Sequence, residues 1–254
     1  MFFTGLVSVT FRKFDIAGVV RAASLAGLDG IEWGGDIHVP HGDLDAAKTA
    51  AALCKDTGLR CVSYGSYYRA GKSADRSAVI ETALALGAPN IRIWAGTKGS
   101  AETAPAERAD IVADIIDFAA EAHRHGLTVT FEWHGGTLTD EPASALRLLE
   151  ELSHPPNVCL YWQPNQFKPL DYNLEALRMA APHLLHVHVF NWEGAKKFPL
   201  RDDGGVWRRY LDTICRFGRP GQDHGLLLEF SPDDTLEAML DDAAYLKSLL
   251  DPNS

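Results

Sequence analysis

A chain of 254 residues is long enough to bury a substantial core, and 46% hydrophobic with 23% charged residues excludes a disordered or fibrous protein. A net charge of −10, with Arg and Lys scattered, argues against a nucleic-acid partner, which needs a basic footprint. No apolar run approaches the roughly 20 residues of a bilayer span. The first residues lack a secretory pattern, and Cys54, Cys61, Cys159 and Cys215 show no C-x-x-C spacing. The expectation is a cytoplasmic protein without a membrane partner.

Short apolar runs alternate with helical patterns along the chain. The first run, Gly5–Val9, leads into Thr10-Phe11-Arg12-Lys13 and not into the glycine-rich phosphate loop of an open doubly wound sheet. The second, Gly30–Trp33, carries Glu32 and precedes a loop with Asp36, His38, His41 and Asp43. Two histidines and two aspartates invite a metal, but Asp43 is placed to cap a helix, so the loop is expected to touch substrate or to serve its own structure. After the third run, Arg60–Tyr64, the segment Ser73-Ala-Asp-Arg opens a helix that ends at Gly87. The fourth, Asn90–Trp94, carries Arg92 and Trp94.

Between the fourth and fifth runs, Ile111, Ile115, Phe118, Ala119 and Ala122 share one helical face, with Pro105 in the first turn and Gly126 past the end. The fifth run, Leu127–Trp133, carries Glu132 and delivers His134. Gln163 follows the sixth, Val158–Trp162, and the seventh, Leu184–Phe190, sets His186 and His188 two apart before Trp192, Lys196, Lys197 and Arg201. Alternate residues of a strand share a face, so Glu132 and His134 project together, as do His186 and His188. The eighth, Leu226–Phe230, contains Glu229.

Eight strand-helix units recurring about every 30 residues predict a single (β/α)8 TIM barrel over residues 1–254. Gly27, Gly58, Gly87 and Gly126 each stand where a helix hands over to a strand. A barrel of this type carries its active site at the C-terminal strand ends, and six strands end in a charged or amide side chain: Glu32, Arg92, Glu132, Gln163, His188 and Glu229. Glu132, His188 and Glu229 suit a divalent cation such as Mn²⁺, Mg²⁺, Co²⁺ or Zn²⁺; an ion-pair network centred on Arg92 is the alternative. Trp94, Trp162 and Trp192 are candidates to floor a sugar pocket or to pack against helices. The basic loop at Lys196 and Lys197 either meets an anionic group or is simply solvated.

Gly30-Ile-Glu-Trp-Gly-Gly35, Phe131-Glu-Trp-His-Gly-Gly-Thr137, His186-Val-His188 and Leu228-Glu229 together resemble the xylose-isomerase-like sugar isomerase and epimerase barrels, over almost the whole chain. The resemblance implies one divalent metal ion held by Glu, Asp, His and Glu from strands five to eight. Glu132, His188 and Glu229 match that pattern; at the aspartate's position stands Gln163, neutral and a weaker ligand for a hard cation. It further implies that Glu132 and Glu229 remove and return a proton α to a carbonyl through an enediolate, with Glu32, Arg92, His134, Trp192 and Lys196 as substrate contacts. The partner implied is a small carbohydrate, and homo-oligomers are common in similar barrels. A lyase on the same fold, or a sugar-binding barrel without turnover, which Gln163 favours, are the alternatives.

Overall fold

The computed structural model describes residues 1–73 and 75–251. Within them β1 (Phe2–Val7), β2 (Gly30–Gly34), β3 (Arg60–Arg69), β4 (Asn90–Trp94), β5 (Thr128–Glu132), β6 (Val158–Trp162), β7 (Leu184–Val189) and β8 (His224–Leu228) run parallel. Each pairs with its chain neighbours, and β8 returns to β1 with Phe2 opposite His224 and Leu6 opposite Leu228. Helices α1 (Ile16–Leu25), α2 (Leu44–Thr57), α3 (Arg76–Leu86), α4 (Pro105–Arg124), α5 (Pro142–Glu151), α6 (Leu170–Ala180), α7 (Val206–Phe217) and α8 (Leu236–Leu250) follow the strands in turn. This is the expected (β/α)8 barrel.

Period-2 alternation divides each strand between two cores. Ile31, Trp33, Ile91, Ile93, Val129, Phe131, Leu160 and Trp162 pack with the helices in one large cluster. A smaller cluster of Val7, Val9, Val62, Tyr161 and Leu227 fills the barrel. The polar residues that alternate with the outer set therefore face inward, where water is excluded, and must find partners there.

Three strands depart from their expected bounds by more than one residue at an end, β3 by running on from Tyr64 to Arg69. The first starts and stops earlier than Gly5–Val9, because Phe2–Thr4 pair with β8 and Ser8–Phe11 turn into a 3-10 helix. The last likewise starts at His224, which leaves Glu229 just past it, its N–H bonded to Val189 O at 3.0 Å. Asp43 caps α2 through Ala46 N at 2.9 Å. In the Ser73-Ala-Asp-Arg segment it is Asp75 that caps α3, through Ala78 N at 3.0 Å, while Ser73 Oγ accepts from Arg69 N and Ala74 lies outside the described residues. No helix among the described residues is long and apolar enough to cross a membrane, and all four cysteines are free.

Candidate active site

The mouth of the barrel is built on a buried polar layer. Asn90 on β4 donates to Ser63 Oγ on β3 at 2.8 Å and to Thr130 Oγ1 on β5 at 3.0 Å. Two residues further along β4, Arg92 is only 2% exposed. Its Nε donates to Glu32 Oε1 at 2.8 Å, and its Nη1 donates to Glu132 Oε2. Gly65, opposite Arg92 on β3, makes this possible: a Cβ there would lie 2.6 Å from Arg92 Nη2 and 3.0 Å from Glu32 Oε1. Burial alone would raise the Glu32 carboxyl, but Arg92 and then His188 outweigh it and hold it well below the usual carboxylate range. Burial is the largest influence on Arg92 and opposes its charge, but Glu32 together with Tyr67, Glu229 and Tyr161 more than offsets it, so the guanidinium stays protonated.

His188 on β7 links this layer to the groups above it. Its Nε2 lies 3.3 Å from Glu32 Oε1. Its Nδ1 lies 3.0 Å from Gln163 Oε1, 3.6 Å from Glu229 Oε2 and 3.9 Å from Glu132 Oε1. One ligand atom each from Glu132, His188 and Glu229 falls within 4.8 Å of the others. Two carboxylates and an imidazole converging on one point fit a divalent cation, and the Gln163 amide oxygen adds a neutral donor on the same side of the ring. The Arg92 ion-pair network is formed, and it leaves a group of ligand atoms that could hold a cation. Glu132 belongs to the Arg92 network through Oε2 and offers Oε1 to the trio.

Above the trio opens a cavity of about 350 Å³. Glu132, Glu229, Gln163 and His134 line it together with an aromatic wall that includes Tyr67, Trp94, Trp192 and Phe230. Trp94 donates Nε1–H to Glu132 Oε2 at 2.5 Å and stacks on His134 with centroids 4.6 Å apart. The Trp192 ring lies 4.7 Å from Phe190 and 5.6 Å from Phe230, and its Nε1 donates to Phe230 O. Tyr67 and Phe230 hold φ at 58° and 55°, a left-handed conformation that costs a non-glycine residue of order 1–3 kcal/mol and tends to concentrate at ligand sites.

Of the residues singled out in the sequence, Glu132, Gln163, Glu229, His134 and Trp192 line the cavity, while Glu32, Arg92 and His188 lie buried beside or beneath it. Lys196 does not line it: its Nζ lies 4.7 Å from the Phe198 ring centroid, and Lys197 pairs with Asp234. His186 is inside the barrel, where Nδ1 accepts Gly225 N–H at 2.9 Å, and burial first of all pushes its pKa down to about 3. His38 is held between Ser8 Oγ and Phe14 O, which ties the loop after β2 to the segment that follows β1. Trp162 packs edge-on against Tyr210 of α7, away from the mouth. Tyr67, Asp140 and Phe230 line the cavity and carried no local signal, since each sits where only closure of the barrel brings it to the site.

Residues 20–242 match the family model of the xylose isomerase-like TIM barrel. A 3-dehydroshikimate dehydratase of Bacillus anthracis is 30% identical over 163 residues, which are 59% of this chain and 58% of that protein, so the match spans little more than half the relative's length. Among solved structures, the probable 3-DHS dehydratase of Bacillus anthracis superposes with a TM-score of 0.76 at 22% identity, covering 99% of this chain and 100% of that one. D-allulose 3-epimerase from Methylomonas sp. gives 0.72 at 16% identity, covering 98% of each chain. A xylose isomerase-like barrel from Mycobacterium smegmatis, solved in complex with magnesium, gives 0.72 at 14%, covering 98% of this chain and 96% of that one. At these identities the structural likeness speaks for the fold.

Proposed function

The chain belongs to the xylose isomerase-like TIM barrel family, and we propose that it is a metal-assisted isomerase or epimerase of a small polyhydroxy carbonyl compound. One observation carries the reading: Glu132 and Glu229 both line the cavity and both approach His188 Nδ1, at 3.9 and 3.6 Å. Two carboxylates facing one small space are what a two-sided proton transfer requires.

Arg92 and Trp94 donate to Glu132 Oε2, which fixes the carboxylate with Oε1 toward His188. One carboxylate takes the proton from the carbon α to the substrate carbonyl, and the electron pair moves onto the carbonyl oxygen. The other carboxyl group returns a proton to the opposite face of that carbon, or to its neighbour, and mass is conserved. A divalent cation held by Glu132, Gln163, His188 and Glu229 would supply Lewis-acid stabilisation of the negative charge that develops on oxygen.

The 30% identical relative favours a second reading, a dehydratase. The first proton transfer is the same, but the electron pair then expels a β-hydroxyl as water. Product mass separates the two. The test of the shared step is exchange of the substrate α-proton with solvent deuterium. Glu132→Gln and Glu229→Gln should each abolish it, and full exchange in both variants would sink the assignment.

A further inference from the structure

We propose that this cavity takes a neutral ring polyol bearing a carbonyl, in preference to any phosphorylated or carboxylated compound. The inference rests on the reading of the site given above and names its substrate class. Among the described residues no lysine or arginine lines the cavity; its fully charged groups are Glu132, Asp140 and Glu229. Cations on the segments around it have other contacts. Arg12 pairs with Asp36 at 2.5 Å, Lys197 with both Asp234 oxygens at 2.7 and 2.8 Å, and Arg69 lies over the Trp94 ring at 3.9 Å. Arg92 is spent beneath the site on Glu32 and Glu132. With Glu32 and Arg92 offsetting each other, three carboxylates remain, and one divalent cation would still leave the cavity negative. A phosphate or carboxylate placed away from that cation would face those carboxylates with no lysine or arginine in the cavity lining.

Hydrogen-bonding capacity points the same way. Asp140 lines the cavity and accepts Ser100 N–H through Oδ2 at 3.0 Å, while its Oδ1 is buried without a partner among the described residues. Ionised carboxylates only accept, and a buried acceptor left unmatched is costly. Their complement is a ligand rich in hydroxyl donors, whereas the oxygens of an ionised phosphate or carboxylate are themselves acceptors. The aromatic wall of Tyr67, Trp94, Trp192 and Phe230 supplies flat faces for the C–H surfaces of a ring. A volume of about 350 Å³ is small for a ligand pocket and suits a single ring.

The test is calorimetric titration of the full chain, loaded with Mn²⁺, with four probes: 2-keto-myo-inositol, D-allulose, D-fructose 6-phosphate and 3-dehydroshikimate. At least one of the two neutral probes is expected to bind about tenfold or more tightly than either anion. Trp192→Ala should weaken that neutral probe by up to about tenfold, and Trp192→Phe should keep most of the affinity. Binding of either anion as tight as the better neutral probe overturns the proposal, as does failure of both neutral probes to saturate at concentrations on the order of tens of millimolar. Deuterium exchange on a tightly bound anion would overturn the neutral-ring assignment and leave the proton-transfer reading standing. Tight neutral binding with no exchange on any probe would do the reverse.

Discussion

Glu32 Oε1 lies 3.3 Å from His188 Nε2 and, in the same place, accepts from Arg92 Nε at 2.8 Å. An ionised carboxylate there can accept a hydrogen bond from Nε2–H, the tautomer that leaves the Nδ1 lone pair for a cation on the side of Glu132, Gln163 and Glu229. Carboxylate partners behind a ligating histidine typically sustain 10–100-fold of metal affinity. Glu32→Gln is therefore expected to weaken Mn²⁺ binding by roughly that factor with the circular-dichroism spectrum unchanged. Calorimetric titration checks it, and unaltered affinity would show that Glu32 does not orient the ring.

Gln163 offers a neutral oxygen 3.0 Å from the same His188 nitrogen. Ligand charge tunes the affinity of a hard-cation site, so Gln163→Asp should tighten Mn²⁺ binding by about tenfold or more. An aspartate is one methylene shorter, and a weaker site in the variant would mean that reach matters more here than charge.

Arg92 is buried between two carboxylates. Removing one member of a buried ionic network leaves uncompensated charge and costs about 3–5 kcal/mol. Arg92→Met is predicted to lose stability on that scale in metal-free urea denaturation. A loss below about 1 kcal/mol, the scale of exposed ion pairs, would contradict it.

His38 gives the pH dependence a definite sign. Burial first of all lowers its folded pKa from 6.5, against the pull of the Phe14 carbonyl. The ring is neutral in the fold, with Nε2–H donated to Phe14 O at 3.1 Å and Nδ1 accepting from Ser8 Oγ at 3.0 Å. Below pH about 6.5 the unfolded chain takes up a proton that the folded chain refuses, so stability falls as pH falls, by at most ~1.4 kcal/mol per unit for this one group. Above that pH the group contributes no slope. His38→Gln should flatten the stability profile by up to one proton below pH about 6.5, as read from denaturation midpoints. An identical slope in the variant would count against it.

The eight-unit pattern, and the strand ends at which Glu132, His188 and Glu229 gather, were legible in the chain itself. The alternation that buries Ile31, Trp33, Val129 and Phe131 against helices also turns Glu32 and Glu132 inward, and local periodicity is enough to read it. The two candidate strands His186-Val-His188 and Phe131-Glu132 marked the site for the same reason. What the sequence alone determined is therefore which side chains face the interior and at which end they gather. Which of them meet was decided by closure of the barrel. Strand register sets Arg92 between Glu32 and Glu132, from strands 60 and 40 residues away, and brings Gln163 to His188 across 25. The same closure spends His38 on Ser8 and Phe14, buries His186 below the mouth, and leaves Lys196 outside while Tyr67, Asp140 and Phe230 come in. Those pairings depend on contacts distant along the chain, and no local period encodes them.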